Sequence, residues 1–93
     1  MALYLSLQPM TKGEFDALLK AADWRREGGT AHNVYDNRTI GDIDKVPTAD
    51  GKWHILFEAK RCDVSDIAPE ASFVHDDDLR FYDMLGMAVD EAA

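Results

Sequence analysis

Leu3, Leu5 and Leu7 alternate with Tyr4, Ser6 and Gln8, the period of two of a strand with one buried face. This predicts a strand over residues 2–8. Thr11-Lys12-Gly13-Glu14 has the spacing of a capping box, in which the Thr11 hydroxyl and the Glu14 carboxylate satisfy each other's backbone N–H. A helix is predicted from there, with Phe15, Leu18, Leu19 and Ala22 as its apolar stripe at i, i+3, i+4 and i+7. Arg25 and Arg26 would close its last turn, where cations suit the dipole, and Gly28-Gly29 would stop it.

From Thr30 to Arg61 the pattern changes to short extended segments separated by turn residues. It predicts a meander of strands near 31–35, 38–46 and 52–60, with corners at Asp36-Asn37 and Asp50-Gly51. In the last strand Trp53, Ile55 and Phe57 share one face, expected to meet a helix. Residues 62–75 hold Pro69 and scattered acids and read as a connection with one short helical turn. Asp76-Asp77-Asp78 then precedes Leu79, Phe81, Tyr82, Leu85, Ala88 and Val89, a helical stripe whose leading carboxylates suit the positive end of the dipole. The order β-α-β-β-β-α predicts one α+β domain over residues 1–93, a small antiparallel sheet with two helices packed on one face. No repeat or low-complexity tract interrupts it.

Composition sharpens this into a globular chain of 93 residues, 46% apolar and 30% charged. The apolar start is broken at Ser6 and stopped by Gln8-Pro9, unlike a secretory signal, and no apolar run approaches the ~20 residues of a membrane span. Cys62 is the one cysteine, so no internal disulfide forms, which fits a reducing compartment; the cytosol is the expected location.

Charge changes the picture most. Residues 1–61 hold nine acids and nine bases, whereas residues 62–93 hold Asp63, Asp66, Glu70, Asp76, Asp77, Asp78, Asp83, Asp90 and Glu91 against Arg80 alone. The C-terminal third therefore carries the whole net charge of −8. Such a surface disfavours direct binding to nucleic acid or anionic lipid and favours a basic protein surface.

One arrangement looks like chemistry. Asp44 near the end of one predicted strand, followed on the next by Glu58-Ala59-Lys60, resembles the D…ExK pattern of the restriction-endonuclease-like nucleases. The resemblance covers about a quarter of the chain. It implies that Asp44 and Glu58 would hold Mg²⁺ while Lys60 assists the attacking water. His32, His54, His75 and Cys62 lack the close paired spacing of a zinc site. Asp36-x-Arg38-x-Ile40-Gly41 puts Arg and Ile where a calcium loop needs oxygen ligands, and Pro47 where it needs glutamate. Cys62 beside Arg61 has no sequence partner for redox or nucleophilic work and reads as a half-buried small residue. Gly28-Gly29 lacks the Lys-Ser/Thr of a phosphate loop, and Met84 and Met87 at helical spacing read as core.

No motif names an activity. The reading that follows from charge is a small non-enzymatic interaction protein, with neither cofactor nor metal. Its carboxylates at 63, 66, 70, 76, 77, 78, 83, 90 and 91 would dock on a basic surface of a nucleic-acid-binding protein. In size and acidity it is similar to the small inhibitors carried by phages and mobile elements, such as anti-CRISPR and anti-restriction DNA mimics. The alternative is a metal-dependent nuclease-like protein using Asp44, Glu58 and Lys60.

Overall fold

Thr11 opens the first helix as the capping box requires: its hydroxyl accepts from the Glu14 N–H at 3.1 Å, and Glu14 Oε1 accepts from the Thr11 N–H at 3.3 Å. A computed structural model describes residues 2–86. In chain order it contains β1 (Ala2–Ser6), α1 (Lys12–Ala21), β2 (Trp24–Glu27), β3 (Thr30–Asn33), β4 (Thr39–Pro47) and β5 (Trp53–Ala59). Two short 3₁₀ turns follow (Val64–Asp66, Glu70–Ser72), then β6 (Phe73–His75) and α2 (Leu79–Leu85). All pairings are antiparallel, in the order β2-β3-β4-β5-β1-β6. The class is α+β, with two more strands than the pattern predicted. Ala88 and Val89, predicted to continue the last helix, lie outside the described residues, as does Met87.

The first additional strand replaces the predicted end of α1. At 3.6 residues per turn, Trp24 would fall about two and a half turns after Phe15, on the solvent side of a longer helix. Asp23 instead takes a left-handed φ of 64°, and Trp24 turns into the core, 4% exposed. Arg25 and Arg26 therefore lie on a strand, where Arg26 forms a two-pronged ion pair with Asp16 of α1. Gly28-Gly29 is not a helix stop; it is the two-residue corner between Glu27 and Thr30, with Gly28 at φ 63°.

The second additional strand, β6, pairs with β1 from Tyr4↔His75 to Ser6↔Phe73. It was hidden because both of its sides are buried: Phe73 joins one core cluster and Val74 the other. The same alternation shows that the helices do not share a face. Phe15 and Leu19 of α1 pack with Ile55, Phe57, Trp24, Ile40 and Ile43. Phe81 of α2 packs with Leu5 and Val74, joined by Leu3, Leu7 and Leu56. Because Tyr4 pairs with Phe57 and Leu5 with Leu56, the two clusters lie on opposite sides of one sheet.

A bulge between Gly41 and Asp44, with Asp42 at φ 51°, adds a residue to β4. It lets Ile40 and Ile43 face the same cluster. The Asp50-Gly51 corner is tight, with Thr48 N–H donating to Lys52 O at 2.9 Å and Gly51 at φ 79°. Trp53, expected beneath a helix with Ile55 and Phe57, is 51% exposed. It lines an open hollow beside the first turn of α1, with Thr11 and Glu14, and Lys45 Nζ lies 5.2 Å from its ring centroid. Among the described residues no helix is long and apolar enough to cross a membrane.

Candidate interaction surface

The chain order of the strands brings five of the acids to one end of the sheet, whereas Glu70, just before β6 begins opposite Ser6, lies at the other. β5 ends at Ala59, opposite Ala2, and β6 ends at His75, opposite Tyr4. The segments that follow each strand, with Asp63 and Asp66 in one and Asp76, Asp77 and Asp78 in the other, therefore leave from the end where β1 begins. They lie on different sides of the sheet: Val64 and Ile67 belong to the α1 cluster, and Phe81 to the α2 cluster.

Asp63 is exposed and its N–H donates to Asp66 Oδ2 at 3.0 Å. Asp66 is half-buried, with Arg38 Nη1 3.0 Å away. Glu70 begins the second 3₁₀ turn. Asp76 Oδ1 lies 3.3 Å and Asp77 Oδ2 3.2 Å from His75 Nδ1, which accepts the Asp77 N–H at 3.0 Å. Asp77 is 91% exposed. Asp78 caps α2: its Oδ1 accepts from Arg80 N–H at 2.9 Å and its Oδ2 from Arg80 Nη2 at 2.8 Å. These Arg80 hydrogen bonds hold the Asp78 carboxyl below the usual range. Asp83 is exposed on α2. Asp90 and Glu91 lie outside the described residues.

Sequence reasoning missed the apolar groups that accompany these acids. Leu79, assigned to the core stripe, is 81% exposed, and Tyr82 is 36% exposed. At i and i+3 they share one side of α2, flanked by Asp78 and Asp83. Also unforeseen is a hollow of about 580 Å³ lined by Tyr4, Leu7, Ala71, Phe73, His75, Asp78 and Arg80. Strand pairing builds it from residues far apart in sequence, so no local motif announces it.

The remaining candidates are placed as follows. Asp44 stands opposite Leu56, whereas Glu58 stands opposite Gly41 across the bulge. Asp44 Oδ1 accepts from the Lys45 N–H at 2.8 Å, and the Lys60 side chain lies over Gly41. His54 is buried; its Nδ1 donates to Ser6 O at 2.6 Å, and its Nε2 is 3.9 Å from Asp50 Oδ1. Cys62 Sγ is 3.5 Å from Thr39 O. Burial first, then the charges of Asp66 and Asp63, push this thiol up to about 11. Among the described residues, the three histidines and Cys62 do not gather into a ligand set.

No known family model, curated protein or solved structure matches the chain.

Proposed function

We propose that this is a small acidic interaction protein that docks on a basic surface of a nucleic-acid-binding protein, its carboxylates standing in for backbone phosphates. The observation that carries this reading is the segment from 62 to 86. It bears seven acids with Arg80 as its one Lys or Arg, on 3₁₀ turns and a capped helix whose ends fix several of them. Exposed Leu79 and Tyr82 among those acids resemble the apolar centre and charged rim of a transient interface. Short aspartate side chains lose little rotamer freedom when held this way, and complementary charge speeds encounter.

The test is affinity capture from the native host lysate at low salt, followed by elution at high salt and identification of what is released. The reading expects a basic nucleic-acid-binding protein that leaves as ionic strength rises. A specific partner with a neutral or acidic surface, retained at high salt, would overturn it.

A further inference from the structure

We propose that the hollow beside β6 is a receptor for a partner's arginine side chain, and that Arg80 occupies the place of that arginine in the free protein. This rests on the acidic-docking reading and adds the chemical group that the surface selects.

The hollow lies at an edge of the sheet, since among the described residues no strand pairs beyond β6. Tyr4, Phe73 and His75 line it, and cross-strand pairing puts all three on the same side of β1 and β6. The Tyr4 ring is fixed by stacking on Phe57 at 5.7 Å and by an edge contact with His75 at 4.9 Å. Phe73 meets Phe57 edge-on at 5.2 Å. Tyr4 and His75, both half-buried, give the hollow aromatic surface of the kind on which a guanidinium stacks, and Phe73, 6% exposed, belongs to the core behind them.

Asp78 stands at the rim, with Asp76 and Asp77 directly before it. A carboxylate beside aromatic faces matches a planar, two-pronged donor better than a compact ammonium. Asp78 already holds such a donor, through Arg80 Nε at 3.1 Å and Nη2 at 2.8 Å. Arg80 is 64% exposed and can swing away without disturbing the cap, because the Asp78 Oδ1 bond goes to its backbone N–H. The three aspartates outnumber Arg80, so the site keeps a negative balance even before displacement.

The experiment titrates isotopically labelled protein with hexaarginine and, separately, hexalysine, following backbone amide signals. Hexaarginine is expected to bind about three- to fivefold more tightly than hexalysine, with shifts centred on Tyr4, Phe73, His75 and residues 77–80. Arg80→Gln should tighten hexaarginine binding, and Asp78→Asn should weaken it more than Asp83→Asn does. Asparagine keeps the helix cap, so folding is preserved, and thermal melts confirm that. Equal binding of both peptides, with every aspartate mattering alike, would overturn the arginine receptor and leave the acidic-docking reading standing. Binding of neither peptide would overturn both.

Discussion

Residues 1–61 balance nine acids with nine bases and supply most of the larger core cluster, in which Phe57 touches Tyr4, Phe15 and Phe73. Residues 62–86 run seven acids against Arg80 and contribute to the core from elements of three to seven residues. Two bases of the first region brace its architecture and its link to the second. Arg26 ties β2 to α1 through Asp16, and Arg38 holds Asp36 while reaching Asp66. In the second region Asp66 and Asp78 cap their own turns, and Asp76 and Asp77 flank His75. Packing and charge are thus divided along the chain, and the surplus charge sits where the fold asks least of it.

The largest test of that division is truncation in the two core clusters. Phe57→Ala should cost about 3–5 kcal/mol, a large part of the total for so small a domain, and lower the urea midpoint of the whole sheet. Phe81→Ala, in the smaller cluster, should fall at or below the low end of that range and release amide protection in α2 before the sheet. Equal, global losses from both would mean that α2 belongs to the same cooperative core and that the comparison fails.

Acid titration gives a smaller effect. The Asp16 carboxyl is lowered chiefly by its hydrogen bonds from Arg26, Asp36 by bonds from the backbone and side chain of Arg38, and Asp50 by its bond from Thr48. Carboxyls whose folded values are depressed stabilise the fold above their unfolded value of about 3.9, and that contribution is lost as pH falls through the folded values. Thermal midpoints should therefore decline below about pH 4, and Asp16→Asn should flatten the decline. An unchanged slope in that variant would remove the Asp16–Arg26 pair from the stability of the first region.

Much of this frame was legible in the amino-acid order. The capping box, the Leu3-Leu5-Leu7 alternation, the three-strand meander and both of its predicted corners followed from local rules. Trp24 was the overlooked sign that α1 ends early, and Gly28-Gly29 signals a hairpin as readily as a helix stop. The two-sided sheet was written in Leu56 between Ile55 and Phe57, an unbroken apolar run that implies cover on both faces. The acid excess could be counted directly. The hollow could not be read, because Tyr4 meets His75 through strand pairing across 71 positions.

The smallest expected effect concerns Cys62. With its thiol pushed up to about 11, labelling at pH 8 should run roughly a hundredfold slower than for a free cysteine, without denaturant. Labelling at the free-cysteine rate would mean that the turn following β5 is open.

The most direct measurement is the association rate with the captured partner, across a range of ionic strengths, for the parent and for Asp76→Asn/Asp77→Asn/Asp78→Asn. The account predicts a variant that melts like the parent, associates about an order of magnitude more slowly at low salt, and shows a flatter salt dependence. A folded variant that associates at the parental rate at every salt concentration would contradict it, leaving these three aspartates as a helix cap alone.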